Sequence, residues 1–175
     1  MPAVLADPAP ALNAVLAHLA RQGHTKVAYA RSTAPLGWNS RTETRAVEDA
    51  AGRNMEVTLL GPFLPTVESG FAATAEVLRT TAAACVASST VLALGMLERC
   101  KQMGLSVPGQ LSLIGCEDNM GATFCSPSLT TLSTPLEEVG LAAARMVTAM
   151  VGGSAGAGLR VVVPTALTLR ASTAA

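Results

Sequence analysis

The sequence is poor in the residues that most chemistry requires. Aromatic residues make up 3% of its 175 positions and charged residues 14%. The 12 Lys and Arg balance the 12 Asp and Glu, so the formal net charge is zero. A neutral chain with few basic residues lacks the electrostatic footprint of a nucleic-acid binder. So few aromatic rings argue against a nucleotide-stacking surface and leave an aliphatic core of Ala, Val and Leu. There are two histidines, His18 and His24, too few for a histidine zinc site. The four cysteines, Cys85, Cys100, Cys116 and Cys125, form no CxxC pair and no metal-ligand spacing. No GxSxG, P-loop or GxGxxG motif occurs, so nucleophile and cofactor fingerprints are both missing. His18 in an apolar helical repeat and His24 after a glycine read as structural. No catalytic residue, metal or cofactor is expected.

Residues 1–13, MPAVLADPAPALN, lack the basic and apolar regions of a signal peptide. The uncharged stretch between Arg79 and Glu98 is interrupted by Ser88, Ser89 and Thr90, so it reads as strand, turn and helix and not as a membrane span. Unpaired cysteines without an export signal point to the cytoplasm.

What is present is hydrophobic periodicity. Half of the chain is hydrophobic, and a chain of this length buries enough surface to fold without staples. Asp7-Pro8 reads as a helix start, and Leu12, Val15, Leu16 and Leu19 recur at helical spacing until Gly23. Strands are expected over 26–30, 56–60 (broken by Gly61-Pro62), 84–87 and 111–116. Helices are expected over 41–52, around Phe71 to Leu78, and over 91–103. Farther on, 128–132 is extended and a helix over 135–151 carries Val139, Ala143, Met146, Val147 and Met150 on its apolar side. Gly-rich 152–158 is a loop, and two short β-like runs flank Pro164. Alternation of this kind predicts an α/β fold, a parallel sheet with helices on both faces. Ligands bind beyond the carboxyl ends of such strands, which here are Arg31, Gly61 and Phe63, Ser88 and Ser89, and Glu117 and Asp118.

Several stretches together resemble the effector-binding core of the lactose-repressor and galactose-repressor family of bacterial transcription regulators. They are Leu19-Ala20-Arg21-Gln22-Gly23-His24-Thr25-Lys26-Val27-Ala28, Ala93-Leu94-Gly95, the run from Gly104 to Gly115, Pro127 to Pro135 with Val139-Gly140, and Pro164 to Thr173. Each is weak alone, but together they follow the family order across the chain. The resemblance implies a two-lobed, periplasmic-binding-protein-like (type I) fold holding a sugar or sugar derivative between its lobes. It places residues 1–131 in the carboxy-terminal lobe, 132–165 in return segments of the amino-terminal lobe, and 166–175 in the final strand of the carboxy-terminal lobe and tail. The helix-turn-helix and most of the first lobe are then expected to lie outside this sequence, with DNA contacted only through that other domain.

The resemblance also implies site residues. Arg45 stands where the family arginine forks onto ligand hydroxyls, a geometry suited to adjacent sugar oxygens. Glu48 replaces the usual glycine three residues later, and Arg41 could serve instead. Ser88 and Ser89 replace a frequent Asn-Asp pair. They offer shorter hydroxyls, with a helix N-cap at Ser89 or Thr90 as the alternative role. Glu117 replaces the first aspartate of a Gly-aromatic-Asp-Asp run, and Cys116 replaces the aromatic. Asp118 is expected to cap or orient the loop that follows. Thr134 and Leu136 supply a polar contact and an apolar wall. Phe63 and Trp38 are the aromatics near the rim that could stack on a sugar ring, Trp38 equally serving as a loop anchor. Leu94, Phe124 and Cys125 match the surfaces of a family homodimer, or else pack in the core. The leading expectation is therefore a non-enzymatic, effector-sensing, dimerising module. A sugar-transport binding protein is disfavoured by the missing signal peptide. An α/β enzyme using Glu117 or Asp118 is disfavoured because no nucleophile or cofactor set accompanies them.

Overall fold

A computed structural model describes residues 2–33, 49–50, 52–153 and 158–173. In chain order the elements are β1 (Ala3–Asp7), α1 (Ala9–Arg21), β2 (Lys26–Ser32), β3 (Glu56–Phe63), α2 (Val67–Val77), β4 (Ala84–Ala87), α3 (Thr90–Gln102), β5 (Ser112–Cys116), α4 (Met120–Phe124), β6 (Thr130–Ser133), α5 (Leu136–Val151), β7 (Arg160–Pro164) and β8 (Ala166–Thr168). Six strands form one sheet in the order β3-β2-β4-β5-β6-β8, and β1 pairs with β7 alone. All pairings are parallel except β6 with β8. This is the α/β architecture that the alternating pattern predicts.

The central strands carry continuous apolar runs (27–30, 84–87 and 113–116) because both faces are covered, as parallel sheets require. Period-two alternation divides their side chains between two clusters. Val27, Tyr29, Val86, Ile114 and Cys116 pack with Leu12, Val15, Leu16 and Leu19 of α1. Ala28, Ala30, Cys85, Ala87 and Leu113 face the other way, toward Ala73 and Val77 of α2 and Leu92, Ala93, Met96 and Leu97 of α3. Helices α2 and α3 come close enough that only glycine fits at their crossing. A Cβ on Gly95 would lie 2.1 Å from the Val67 carbonyl oxygen, and one on Gly70 would lie 2.6 Å from that of Leu92.

The structure departs from the expected elements in several places. Strand β1 was not expected; its partner is more than 150 residues away, so no local pattern announces it. Asp7 ends that strand, and its Oδ1 accepts from the Ala9 amide at 3.0 Å, so it still serves the start of α1. Gly61-Pro62 does not end β3, which runs on to Phe63. As an edge strand β3 tolerates a residue without an amide hydrogen, and the register shift opposite, between Ala30 and Ser32, absorbs the irregularity. Pro164 is the last residue of β7, another edge strand, and residues 120–124 form a short helix ending at Phe124 that was not expected. The expected helix over 41–52 falls largely outside the described residues.

The apolar side expected on helix α5 is largely uncovered, and only Met146 of its residues is buried. Leu136, Leu141, Val147, Met150 and Val151 are exposed, as is Val162 on the neighbouring β7. The small unit of β1, β7 and α5 thus stands apart from the six-stranded sheet, with Ala3–Asp7 joined to it and not to the main sheet. Among the described residues no helix is long and apolar enough to cross a membrane.

Candidate effector site

Strand order reverses at β2, which has β3 on one side and β4 on the other. A topological switch of this kind opens a crevice at the carboxyl ends of the strands, and the polar strand ends collect there. The two sides are bridged directly: the Ser32 amide donates to Ser88 Oγ at 2.6 Å, and the Ser88 amide to the Ala30 carbonyl at 2.9 Å. Ser89 is the N-cap residue of α3 by position, but its hydroxyl makes no cap hydrogen bond, and the residue is buried. Arg31, next along β2, donates from Nη2 to the Gly61 carbonyl at 2.7 Å and from Nε to the Leu60 carbonyl at 3.4 Å, bracing the ends of β2 and β3.

Glu117 follows β5 on the same rim. Its φ of 79° lies in the left-handed region, which costs a residue with a Cβ on the order of 1 kcal/mol or more. Three contacts hold it there. The Glu117 amide donates to the Leu132 carbonyl at 3.0 Å, and the Thr90 hydroxyl reaches the carbonyls of both Cys116 (2.6 Å) and Glu117. Thr90 is therefore spent on this turn and does not cap its own helix. Partial burial pushes the Glu117 carboxyl pKa up, so its ionised form gains from a ligand that supplies donors.

Asp118 is paired with Arg170. Arg170 Nη2 lies 2.8 Å from each of its carboxylate oxygens, while Arg170 Nη1 donates to the Leu129 carbonyl at 2.8 Å and to Thr131 Oγ1 at 2.9 Å. Asn119 caps α4, its side chain accepting from the Ala122 amide. Of the three consecutive polar residues, Asp118 and Asn119 are thus engaged within the loop, and Glu117 is half-buried at the end of β5. Thr134 is half-buried just after β6 on that rim, and Leu136 is exposed at the start of α5. Phe63 is 9% exposed and joins the core cluster under α2 and α3, so little of its ring is open for stacking. Trp38, Arg41, Arg45 and Glu48 lie outside the described residues.

The remaining candidate chemistry is inert or structural. His18 Nε2 lies 3.2 Å from Thr173 Oγ1 and 3.0 Å from Gln22 Nε2, and His24 Nε2 lies 3.3 Å from Ser112 Oγ. Burial lowers both histidine pKa values, with Arg21 adding to the effect at His18. The four cysteines are free. Burial pushes the Cys85 thiol up to about 12 and raises Cys116 also, which keeps both as thiols. Among the described residues no three His, Cys, Asp or Glu side chains gather to hold a metal.

A second patch lies on α3 and α4. Phe124 is 79% exposed and Met120 75%, with Val91 exposed beside the half-buried Leu94. Phe124 thus does not pack in the core, whereas Cys125 is half-buried with its Sγ near the Ala122 and Pro127 carbonyls.

Comparison with known proteins fits this geometry. Residues 16–173 match the model of the periplasmic binding protein-like domain. A LacI family transcriptional regulator from Bifidobacterium animalis subsp. lactis superposes with a TM-score of 0.90 at 28% identity, covering 99% of this chain and 64% of that one. This is a periplasmic-binding-protein-like domain of the LacI family. The LacI-type domain is also 30% identical to the HTH-type transcriptional regulator MalR of Streptomyces coelicolor, over 99% of this chain and 52% of that protein. It therefore spans about half the length of this curated relative. A LacI family regulator from Enterococcus faecium, solved with bound ribose, shares the fold at a TM-score of 0.84 and 23% identity, over 99% and 65% of the two chains.

Sequence reasoning missed Asn119 and Arg170, placed Arg31 at the rim only as a strand end, and gave Thr90 only the role of a possible cap. Arg31 had a signal, a charge at the end of an apolar strand, and Arg170 stood inside a quoted family stretch without a partner to give it meaning.

Proposed function

We propose that this LacI-type domain senses a small polyhydroxyl effector, a sugar or sugar derivative, and that it is not an enzyme. The observation that carries the reading is the rim at the switch point. Ser88, Ser89, Glu117 and Thr134 come from the ends of three strands, while Asp118 is withdrawn from the rim by Arg170. Hydroxyls that both donate and accept, beside a carboxylate that only accepts, suit a ligand dense in hydroxyl groups. Arg45 and Trp38, the sequence's candidates for a donor fork and a stacking surface, lie outside the described residues. The ribose held by the Enterococcus faecium neighbour supports the ligand class. The unit of β1, β7 and α5 belongs to a second lobe whose movement against the six-stranded sheet reports occupancy. The revised division moves residues 3–7 into that lobe with the return segments. The domain pairs with a second copy through Val91, Leu94, Met120 and Phe124, and DNA is contacted through a helix-turn-helix domain of the kind that names its relatives.

Calorimetry against ribose, glucose, maltose and lactose, with Glu117→Ala in parallel, tests the reading. Saturable binding to the unsubstituted protein, weakened at least about tenfold by Glu117→Ala as expected for a lost charged hydrogen bond, is the expected result. Conversion of a sugar by the purified protein, lost in Glu117→Ala, would overturn it in favour of catalysis.

A further inference from the structure

We propose that Arg170 and Asp118 are positioning residues that hold Glu117 in its left-handed conformation at the carboxyl end of β5. This rests on the reading of Glu117 as an effector contact. A residue with a Cβ does not stay at φ 79° without contacts that over-determine it. Thr90 and the Leu132 carbonyl grip the turn from the side of β5 and β6. Beyond Glu117 the turn is gripped by Arg170, whose guanidinium binds Asp118 with one nitrogen and the Leu129 carbonyl and Thr131 hydroxyl with another, and Asn119 then caps α4. The planar fork fixes direction as well as distance. The arginine is itself anchored. Its amide donates to Thr130 Oγ1 at 2.9 Å, and the Thr130 hydroxyl reaches its carbonyl at 3.1 Å. Two residues on, Ser172 Oγ donates to the Leu113 carbonyl at 2.6 Å and accepts from the Thr130 amide at 2.8 Å. A segment more than 50 residues away in sequence is thereby bolted across β5 and β6 and sets the position of the turn at Glu117.

Amide hydrogen exchange of Asp118→Asn and Arg170→Met tests this without knowing the effector. Asp118→Asn keeps the shape of the side chain and removes its charge, so it remains informative if Arg170→Met does not fold. The expected result is exchange at the Glu117 and Ala122 amides faster by at least about tenfold, with a much smaller change at the amides of β2 and β4. Equal acceleration at all of these sites would show a merely structural ion pair and overturn the proposal, as would unchanged exchange at Glu117. A second arm measures ribose, glucose, maltose and lactose by calorimetry. If one binds, Asp118→Asn must weaken it, and unchanged affinity overturns the proposal. If none binds, the sugar reading fails, while the exchange result still decides what holds Glu117.

Discussion

Replacing Gly95 by alanine isolates the contact that joins α2 to α3. The added methyl carbon would lie 2.1 Å from the Val67 carbonyl oxygen and 2.8 Å from the carbon atoms behind it. A carbon normally approaches a carbonyl oxygen no closer than about 3.3 Å, so the helices must part by about 1 Å. The obstacle is backbone, and no side-chain rotation relieves it. Separation would loosen Ala73, Val77, Leu92 and Met96, which are all fully buried beneath the crossing. Overpacking of this kind costs about 3 kcal/mol at the upper end of its usual range, and alanine's better helix propensity returns about 1. The net loss of about 2 kcal/mol corresponds to a drop in Tm of roughly 4–8 °C for a domain of this size. Gly140→Ala in α5 is the control, because a Cβ there meets nothing within 4 Å and should gain up to about 1 kcal/mol. Thermal unfolding followed by circular dichroism measures both. A Gly95→Ala protein as stable as the original would refute the close-crossing argument.

Three further outcomes are expected. Because burial raises the Glu117 pKa, the folded state holds that proton more tightly than the unfolded chain. Stability therefore falls as pH rises through the raised value, and Glu117→Gln should abolish this component and be the more stable protein at neutral pH in urea titrations. His18 and His24 are shifted the other way, so the stability tied to their neutral forms is present above about pH 6.5 and lost as pH falls through the lowered folded values. His18→Gln should flatten that acid limb, and a limb of unchanged steepness would count against it. Phe124→Asp places a charge at the centre of the exposed patch on α3 and α4. It should weaken self-association by at least about tenfold in sedimentation equilibrium with Tm nearly unchanged, whereas an unchanged association constant would exclude this face.

The features that were legible in the sequence have local causes. Strand β4 was read to the residue because Ala84–Ala87 is a short apolar run ended by Ser88, and helix α1 because Leu12, Leu16 and Leu19 repeat at one face before Gly23. Ser88 and Glu117 were legible as rim residues because strand ends alone locate the rim of a parallel sheet. What escaped depends on distant partners. Ala3–Asp7 is a strand only because residues 160–164 lie beside it, and five-residue α4 is too short to show a helical period. Thr90 looked like a cap because a threonine after a strand usually is one, but the carbonyls that recruit it come from residues 116 and 117. Phe63 looked like rim because Gly61-Pro62 was read as a break. With the strand continued, its ring turns into the core.

The pairing of Ala3 with Arg160 also has a kinetic meaning. In the unfolded chain, closing a loop of that length costs about 4–5 kcal/mol of entropy before any contact forms, so β1 and β7 do not find each other early. Once the six-stranded sheet exists, the search nearly disappears, because only Pro8 separates β1 from α1 and only Thr165 separates β7 from β8. The small sheet is thus a conditional structure, assembled last on a finished platform. It can open while the larger sheet stays intact, but it cannot outlive that sheet, so the dependence runs in one direction only.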